Sequence, residues 1–442
     1  MARGLLIAAP SSGSGKTLTT LSLLSLLHAK GIKVAGCKAG PDYIDPEFHA
    51  AATGLPCFNL DLWTMRPPSL QALLAAQAKR GELIIVEGVM GLFDGIPGLP
   101  IDANGSAAQL ARLLDLPVVL VLNAKGQGAT AAAIIEGLVR HDPALKIAGI
   151  IFNNVGSAGH REILSDAAQR AGVPALGFLP HVPVLNVPSR HLGLVQAREI
   201  AVLDKFLANA REHFADSFDL DAIMAAAGPI TATDAKLLPM VAPLGQRIAL
   251  ADDAAFAFSY PFHREAWVAA GAEVTPFSPL ADESPRADAD AVFLPGGYPE
   301  LHAGRLAANA TFQAGLHAAA ARGAFIYGEC GGYMALGRGL VDAAGVRHQM
   351  AGLLPVETSF AKRKLHLGYR EANLLDGTPL GPAGTIYRGH EFHYASVTAE
   401  DGDAALFTAR DARGRLLGPV GRRAGTVMGS FMHLIDRTTG HG

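Results

Sequence analysis

The chain has 442 residues, a length that favours two or three domains, each large enough to bury its own core. Half of the residues are hydrophobic, 17% are charged and the formal net charge is -3, a globular composition with no basic field for nucleic acid. No stretch approaches the roughly 18 apolar residues that span a bilayer, and the apolar run near the start is too short for a signal sequence. We therefore expect a cytoplasmic protein with small-molecule partners and with no membrane or nucleic-acid partner.

The cysteines are few and widely spaced. Cys37, Cys57 and Cys330 form no CxxC pair, so the sequence indicates neither a disulfide framework nor a structural zinc site. We expect all three to be reduced thiols.

Short apolar runs alternate with helix-length segments in the first half of the chain. The runs are residues 5–9, 32–35, 83–86, 118–122 and 147–152. Such alternation predicts a parallel sheet with helices on both faces. The pattern ends near Phe206, and the stretch 226–246 contains Pro and Gly with little periodicity. We therefore assign residues 1–225 to a first domain and residues 226–246 to a linker.

A second alternating series occupies residues 247–442. Its apolar runs are residues 247–251, 273–277, 291–294 and 324–327, and helices are predicted near 264–270 and 307–322. Beyond about Gly345 the runs become shorter and glycine interrupts them, which predicts strands and loops. The predicted fold class is α/β, with two doubly wound domains.

A segment rich in glycine and serine joins the first apolar run to a leucine-rich helical segment. It reads Pro10-Ser-Ser-Gly13-Ser14-Gly15-Lys16-Thr17. In a phosphate-binding loop, glycines let backbone N–H groups converge on phosphate oxygens, the lysine adds a positive charge and the threonine hydroxyl can ligate Mg²⁺. Pro10 replaces the usual first glycine, and a plain helix-capping turn is the weaker alternative. We predict that residues 13–17 bind the phosphates of a nucleotide.

Four carboxylates follow two further apolar runs and are Asp42, Asp45, Glu87 and Asp94. Ligands of open α/β sheets bind beyond the carboxyl ends of the strands, so these acids can converge on the phosphate-binding loop and hold its metal ion. The three aspartates stand near Pro or Gly and could instead form turns. Glutamate is a poor turn former, so Glu87 is the strongest candidate for a metal ligand.

Cys330 is the candidate nucleophile of the second domain. It lies in Phe325-Ile-Tyr-Gly-Glu-Cys330-Gly-Gly332, where an apolar run stops at a thiol flanked by glycines and a helix-like stretch follows. This pattern is typical of a nucleophile elbow, in which a sharp turn exposes the nucleophile and nearby backbone N–H groups face an oxyanion. A packed thiol beside a Gly-Gly turn is an equally good interpretation of these eight residues alone.

Several motifs in the same order give nearly the whole chain a resemblance to one family. The first half resembles cobyrinic or hydrogenobyrinic acid a,c-diamide synthases in Gly15-Lys16-Thr17, in residues 38–46 and in Glu87-Gly-Val-Met-Gly-Leu-Phe-Asp94-Gly. The second half is similar to class I glutamine amidotransferase domains in Pro295-Gly-Gly297-Tyr-Pro-Glu300, in the Cys330 segment, in Gly389-His390-Glu-Phe-His393-Tyr394 and in Gly429-Ser-Phe-Met-His433. The resemblance implies a dethiobiotin synthetase-like ATP domain fused to a class I glutaminase domain.

The resemblance also implies roles in the first domain, which would use ATP and Mg²⁺ to phosphorylate a substrate carboxylate. An acyl phosphate offers phosphate as a leaving group, so ammonia can then attack. Thr17, Asp45 and Glu87 would ligate the metal ion. Asp42 and Asp94 would lie near the reacting carboxylate and phosphate.

In the second domain the resemblance implies that Cys330 attacks the amide carbon of glutamine. His433 would activate the thiol and protonate the leaving ammonia, and the backbone N–H groups of Gly297 and Gly331 would bind the oxyanion. Many class I glutaminases carry a glutamate two residues after this histidine, but that position is Ile435 here. The residue that orients His433 is therefore left open.

Other polar residues in these motifs allow two interpretations each. His390 and His393 compete with His433 as the base, although a structural role is favoured for both. Asn153 and Asn154 stand where relatives of the family bind adenine, but a strand-end turn fits them equally well. The basic run 362–364 could meet the carboxylates of a corrinoid, or it could be a solvated face.

The function implied by the resemblance is ATP-dependent, glutamine-hydrolysing amidation of the a and c acetate carboxylates of hydrogenobyrinic or cobyrinic acid, in cobalamin biosynthesis. The partners would be the corrinoid acid, glutamine and ATP, with a homodimer as one possible assembly. Amidation of another tetrapyrrole, such as nickel sirohydrochlorin, is one alternative. A P-loop regulatory ATPase with a non-catalytic Cys330 domain is the alternative from a different class.

Overall fold

The computed structural model describes residues 1–185, 203–231, 235–402 and 404–438. The chain divides into two compact units. The first comprises Met1–Trp63 and Pro67–Lys236, and the second comprises Thr64–Arg66 and Leu237–Gly442. The division thus falls inside the stretch for which a linker is predicted.

The first unit contains one mostly parallel sheet. Its strands are β1 (Arg3–Ala8), β2 (Val34–Ala39), β3 (Phe58–Leu60), β4 (Leu83–Glu87), β5 (Val118–Asn123), β6 (Ile147–Val155), β7 (Ala175–Pro180) and β8 (Gly228–Pro229). In the described residues the parallel strands follow the order β3-β2-β4-β1-β5-β6-β7. β8 pairs antiparallel with β1, so the start of the predicted linker contributes to this sheet.

The helices of the first unit connect these strands. They are α1 (Lys16–Ala29), α2 (Ile44–Thr53), α3 (Pro67–Ala78), α4 (Ala107–Leu113), α5 (Ala131–His141), α6 (Ala158–Arg170), α7 (Leu203–Phe214) and α8 (Leu220–Ala226). Side chains of β1 alternate between the two faces of the sheet, and all five residues after Arg3 are buried. Burial on both faces explains why these strands are continuous apolar runs, and it confirms the α/β class predicted for this half.

The carboxyl ends of β1, β2 and β4 lie side by side and position the candidate site. β4 lies between β2 and β1, and the register pairs Ile7 with Glu87 and Lys38 with Glu87. The segment after β1 leads directly into α1. The phosphate-binding loop and the Glu87 carboxylate therefore meet at one edge of the sheet.

The second unit contains a central sheet and two further sheets in which most strand pairs are antiparallel. Its strands are β9 (Arg247–Ala251), β10 (Glu273–Phe277), β11 (Ala291–Leu294), β12 (Phe325–Glu329), β13 (Gly339–Val341), β14 (Arg347–Gln349), β15 (Val356–Ser359), β16 (His366–Leu374), β17 (Ile386–His393), β18 (Ser396–Glu400), β19 (Phe407–Asp411), β20 (Leu416–Val420), β21 (Arg422–Ala424), β22 (Val427–Ser430) and β23 (Met432–Arg437). Its helices are α9 (Pro261–Ala269), α10 (Ala303–Ala308), α11 (Ala310–Ala321) and α12 (Gly331–Leu336).

Parallel strands again form the core of this unit. The central sheet has the order β10-β9-β11-β12-β22-β21, and only β21 is antiparallel to its neighbour among the described strands. The other sheets have the orders β14-β13-β15-β18 and β20-β19-β16-β17-β23. β12 ends at the candidate nucleophile, and β22 and β23 lead to His433.

One predicted helix differs from the structure. The single helix expected over 307–322 is two helices, α10 and α11, separated at Asn309. The Asn309 amide donates hydrogen bonds to the carbonyl oxygens of Pro279 and Leu280, at 2.7 and 3.2 Å. Asparagine competes for backbone partners in this way and interrupts helices.

None of the helices in the described part of the chain is long and apolar enough to cross a bilayer.

Candidate functional site

The phosphate-binding loop of the first unit is held in shape by Asn153. Gly15 has a φ of +96°, and a Cβ atom at that position would lie 2.0 Å from Nδ2 of Asn153. The same Asn153 amide donates a hydrogen bond of 3.1 Å to the Ser14 carbonyl oxygen. Only glycine provides both this backbone conformation and this close approach. Asn153 thus lies against the loop rather than in a separate turn.

The side chain of Lys16 folds back over the loop. Its Nζ atom donates to the carbonyl oxygen of Met90 and, at 3.4 Å, to that of Ser11. The lysine is buried, so its ammonium group depends on these carbonyl partners. A phosphate at the loop would replace neutral carbonyl oxygens with charged ones.

Glu87 is the centre of a buried polar cluster beside the loop. Oε1 of Glu87 accepts a hydrogen bond of 2.7 Å from the Thr17 hydroxyl and one of 2.8 Å from Nζ of Lys38. Nζ of Lys38 also lies 2.6 Å from Oδ2 of Asp45. The structure therefore brings together Thr17, Asp45 and Glu87, the three residues predicted as metal ligands.

His49 supports the other side of the same carboxylate. Its Nε2 atom lies 2.7 Å from Oε2 of Glu87, and its Nδ1 atom lies 3.5 Å from Sγ of Cys57. Burial raises the pKa of Glu87, but the charge of Lys38 and the contact with His49 outweigh burial and hold that pKa below its usual value. Burial likewise opposes the charge of Lys38, yet Asp45 and Glu87 raise its pKa. In this cluster the positive charge of Lys38 is paired with the negative charges of Asp45 and Glu87.

The donor set of this cluster fits Mg²⁺. A hydroxyl and carboxylate oxygens are the hard ligands that Mg²⁺ prefers, and the ion usually takes few protein ligands and keeps several waters. The 2.7 Å contact between Thr17 and Glu87 places two of these oxygens within reach of one ion. Among the described residues no group of three His, Cys, Asp and Glu side chains is arranged to hold a metal ion. The Thr17 hydroxyl and the phosphate oxygens of a nucleotide would be further ligands of an ion at this loop.

Three other predicted residues of the first unit stabilise turns. Oδ1 of Asp42 accepts a hydrogen bond of 2.8 Å from the Ile44 N–H, and Oδ2 of Asp94 accepts one of 2.7 Å from the Gly91 N–H. Asn154 has a φ of +61° and donates to Oδ1 of Asn123 at 3.0 Å. These contacts are those of turn formers. Asp42 still acts electrostatically on the buried Lys38 of the Glu87 cluster.

Cys330 of the second unit has the backbone of an elbow. Its φ is +47° and its ψ is −101°, values that a residue other than glycine adopts only under strain. Its N–H donates a hydrogen bond of 2.8 Å to the Ser430 carbonyl oxygen, which fixes the turn between β12 and α12. The thiol is buried and contacts the Phe392 carbonyl oxygen at 3.9 Å. The strained turn is typical of a nucleophile rather than of a packed thiol.

The predicted oxyanion donors lie next to each other. A Cβ atom on Gly331 would be 3.0 Å from the Gly297 nitrogen, so the two backbones are in contact. Burial and the negative charge of Glu300 raise the pKa of the Cys330 thiol, and the Gly331 N–H opposes them. The resting group is therefore a neutral thiol with a backbone donor directed at its sulfur.

The imidazole of His433 packs against the same glycine-rich loop. A Cβ atom on Gly296 would lie 2.3 Å from Cε1 of His433. The other side of the ring stacks on His390, with centroids 4.8 Å apart and planes at 10°. Burial and the neighbouring imidazoles of His390 and His393 lower the pKa of His433 well below its usual value. His433 is thus neutral at physiological pH, as a general base must be.

The carboxylate of Glu329 lies close to His433 in the second unit. Oε2 of Glu329 lies 3.8 Å from Nδ1 of His433, and Oε1 accepts a hydrogen bond of 3.1 Å from the Leu434 N–H. Asp436, three residues after His433, instead accepts a hydrogen bond from Arg66, whose NH2 nitrogen lies 2.8 Å from its Oδ1 atom. Both Arg66 and Asp436 belong to the second unit.

His390 and His393 have other partners. Nε2 of His390 lies 2.9 Å from the Tyr260 hydroxyl. Nδ1 of His393 lies 3.0 Å from the Ala395 carbonyl oxygen, and its Nε2 lies 3.1 Å from Glu391. Burial is the main cause that lowers the pKa of His390 to about 3. These contacts agree with the structural role favoured for both histidines. The basic run 362–364 is exposed.

For four side chains that lie beside the predicted site residues, no role was predicted from the sequence. They are Lys38, His49, Glu300 and Glu329. The sequence does indicate a paired role for Lys38 and Glu329, because a charged residue at the end of a buried strand is costly unless it is paired. Nothing in the sequence indicates a role for His49, since its contact with Glu87 joins residues 38 positions apart.

Comparisons with known proteins match both units. The CobQ/CobB/MinD/ParA nucleotide binding domain family matches residues 5–195, and the CobB/CobQ-like glutamine amidotransferase domain family matches residues 247–439. Fold and site together define a glutamine amidotransferase domain joined to a P-loop nucleotide-binding domain, that is, a glutamine-dependent amidating ligase.

Full-length relatives identify the family more narrowly. A hydrogenobyrinate a,c-diamide synthase of Mesorhizobium japonicum is 51% identical over 438 residues, which are 99% of each chain. Proteins of the same name from Brucella anthropi and Agrobacterium fabrum are 52% and 49% identical, covering 98% and 99% of each chain. The chain belongs to the hydrogenobyrinate a,c-diamide synthase family, which confirms the resemblance found in the sequence.

Proposed function

We propose that this enzyme amidates the a and c acetate carboxylates of hydrogenobyrinic acid, with ATP as the energy source and glutamine as the nitrogen donor. The observation that carries the proposal is the identity of about half of the residues with hydrogenobyrinate a,c-diamide synthases over the whole chain. The activity named for these relatives favours the cobalt-free acid over cobyrinic acid and over nickel sirohydrochlorin. The strained Cys330 and the buried Glu87 cluster support catalysis in both units rather than a regulatory ATPase.

In the first unit, residues 13–17 bind the ATP phosphates and Asn153 keeps that loop in shape. Lys16 leaves its carbonyl partners and contacts phosphate oxygens. Thr17, Asp45 and Glu87 would hold Mg²⁺, which would supply positive charge against the phosphates. The substrate carboxylate attacks the γ-phosphorus, ADP leaves, and an acyl phosphate results.

The acyl phosphate is the species that ammonia attacks. An ionised carboxylate would have to expel oxide, whereas the acyl phosphate expels inorganic phosphate as the carbon–nitrogen bond forms. Lys38 keeps Asp45 and Glu87 ionised and in place for the metal. Asp42 and Asp94 order the turns at the ends of the neighbouring strands, and we assign them to the acceptor side of this site.

In the second unit, Cys330 and His433 release the ammonia. Because Nδ1 of His433 faces Glu329, Nε2 is the nitrogen that takes the thiol proton. The sulfur then attacks the glutamine amide carbon, and the oxyanion is bound by the N–H groups of Gly297 and Gly331. The carbon–nitrogen bond breaks as His433 protonates the departing ammonia. Water hydrolyses the thioester to glutamate and restores the thiol.

Product analysis tests this function directly. The enzyme is given hydrogenobyrinic acid, ATP, Mg²⁺ and glutamine labelled with heavy nitrogen in its amide, and products are identified by mass spectrometry. We expect a diamide that carries the label at both new amides. Cobyrinic acid and nickel sirohydrochlorin offered in competition should be used less well. Glutamine hydrolysis or ATP turnover without labelled diamide would refute the proposed acceptor, and the absence of glutamine hydrolysis would refute an amidotransferase.

A further inference from the structure

Glu300 lies beside the nucleophile without a role in the mechanism above. It ends the segment Pro295-Gly-Gly-Tyr-Pro-Glu300, which contains the oxyanion donor Gly297. The preceding Pro299 packs on the elbow, since a Cβ atom on Gly331 would lie 2.9 Å from its ring. The segment thus fixes the Glu300 side chain close to Cys330.

Glu300 is half-buried, and one oxygen of its carboxylate lacks a hydrogen-bond donor. Its Oε2 atom is shielded from solvent and receives no hydrogen bond from the described residues. Burial raises the pKa of Glu300 to about 7, against smaller opposing effects of its own N–H and of Arg363. A buried carboxylate oxygen without a donor is costly, and such groups often await a ligand.

We propose that Glu300 binds the α-ammonium group of the substrate glutamine and thereby selects an α-amino acid as the nitrogen donor. This inference rests on the proposed glutaminase function. The only cationic group of glutamine is its α-ammonium group. Three carbon atoms separate the nitrogen of that group from the amide carbon that Cys330 attacks. An ammonium group supplies the donors that Oε2 lacks and pairs its charge.

The neighbouring acids do not offer the same site. Glu391 also acts on the Cys330 thiol, but Arg370 contacts one of its oxygens at 2.8 Å and His393 contacts the other at 3.1 Å. Glu329 faces His433 and accepts the Leu434 N–H. Of these three carboxylates, Glu300 is the one with a buried oxygen that has no donor in the described residues.

Glutamine binding would also change the nucleophile. After burial, the charge of Glu300 contributes most to raising the pKa of the Cys330 thiol. An ammonium group on Glu300 cancels that charge, so the thiolate becomes easier to form once the substrate is in place. In the absence of glutamine this charge adds to burial in disfavouring the thiolate.

A substrate analogue gives the sharpest test. Glutaramate has the same amide and carboxylate as glutamine but lacks the α-amino group. Wild-type enzyme should hydrolyse glutamine with a kcat/KM about 100-fold or more above that for glutaramate. In Glu300→Gln, kcat/KM for glutamine should fall by about the same factor, mainly through KM, because the contact is present in ground and transition states alike. The kcat/KM for glutaramate should not fall in this variant, because glutaramate brings no cation to Glu300 and removal of the charge makes the thiolate easier to form.

The matched control is Glu391→Gln, which removes an equally close but paired carboxylate. It should leave the preference for glutamine over glutaramate unchanged. An equal loss for both substrates in Glu300→Gln would overturn the proposal, since it would assign Glu300 to the thiol or to the fold. Amidation driven by ammonium salts should be normal in both variants, which shows that they are folded. A wild-type enzyme without glutaminase activity would instead refute the proposed function.

Alkylation of Cys330 is an independent readout. In the absence of glutamine at about pH 8, where Glu300 is mostly ionised, iodoacetamide should modify Cys330 faster in Glu300→Gln than in wild type. The rate is followed by peptide mass spectrometry, which separates Cys330 from the buried Cys37 and Cys57. An unchanged rate in the variant would contradict the electrostatic link.

Discussion

Nδ1 of His433 lies 3.8 Å from Oε2 of Glu329, the residue immediately before Cys330. The other oxygen of Glu329 accepts a hydrogen bond of 3.1 Å from the Leu434 N–H. This bond holds the carboxylate beside the strand that contains His433. The position two residues after the histidine is the apolar Ile435. Glu329 on β12 is therefore an acid that faces Nδ1 of His433, and we expect it to orient the imidazole.

The pH profile of glutamine hydrolysis tests this pairing. Burial raises the pKa of Glu329 to about 8, so its charge appears as the pH rises through that value. The charge then stabilises the imidazolium that forms when His433 takes the thiol proton. Wild-type kcat should rise between about pH 7 and about pH 9. Glu329→Gln should lose this rise and have a kcat about 10- to 100-fold lower at the upper end.

The substitution keeps the local structure, because a glutamine oxygen can still accept the Leu434 N–H. Asp436→Asn is the comparison, since Asp436 is the other acid near His433 in sequence and is held by Arg66. That variant should retain the rise near pH 8. Loss of the rise in Asp436→Asn, with retention in Glu329→Gln, would transfer the orienting role to Asp436.

Removal of the nucleophile should separate the two half-reactions. Cys330→Ala is expected to abolish glutamine-dependent amidation and to leave amidation from ammonium salts intact, because only the ammonia source is lost. His433→Asn should behave in the same way. Both are measured as diamide formed from each nitrogen source. Normal glutamine hydrolysis in His433→Asn would move the base to His390 or His393.

The strands that position both sites could be predicted because parallel strands buried on both faces are visible as apolar runs. β9, β10 and β11 have the predicted bounds, and β1, β4 and β5 differ from them by at most two residues. The pattern fails where a polar contact decides the structure, as at Asn309, whose side chain binds carbonyl oxygens about 30 positions earlier in the chain. Periodicity reports burial, and it carries no information on such contacts.

The same limit applies to the sites. Motif spacing predicts that Lys16, Thr17 and Glu87 lie at one sheet edge, since strand ends of a parallel sheet share that edge. It cannot predict that His49 supports Glu87 or that Glu329 faces His433, because these pairs are set by side-chain directions between distant segments. For Asp42 and Asp94 the sequence allowed a turn-forming role as well as a role near the reacting groups, and the structure shows the turn contacts.

Loss of the Glu87 charge should stop amidation from either nitrogen source. In Glu87→Gln the buried Lys38 retains only Asp45 of its two carboxylate partners, and the metal site loses a ligand. We expect diamide formation to fall below about 1% of wild type and the free energy of unfolding to fall by about 3–5 kcal/mol. Denaturation in urea, together with assays on glutamine and on ammonium, measures both effects.

Glu82→Gln is the matched control for that variant, since Glu82 is exposed and immediately precedes the same strand. It should have wild-type activity and stability. Glutamine hydrolysis measured without acceptor should persist in Glu87→Gln if the units work as separate sites. Wild-type amidation by Glu87→Gln would remove this residue from the ATP site.

The position of the His433 ring depends on the absence of a side chain at Gly296. A Cβ atom in Gly296→Ala would lie 2.3 Å from Cε1 of His433, and the stack on His390 at 4.8 Å leaves the ring little room to retreat. The displaced imidazole should reduce glutamine hydrolysis about 100-fold, since misplacement of a catalytic group by about 1 Å has effects of this size. Amidation from ammonium should be unaffected. Gly377→Ala, whose nearest neighbour atom lies at 4.0 Å, should leave both activities unchanged. If Gly296→Ala hydrolyses glutamine normally, His433 does not need the position that the glycine loop gives it, and its assignment as the base fails.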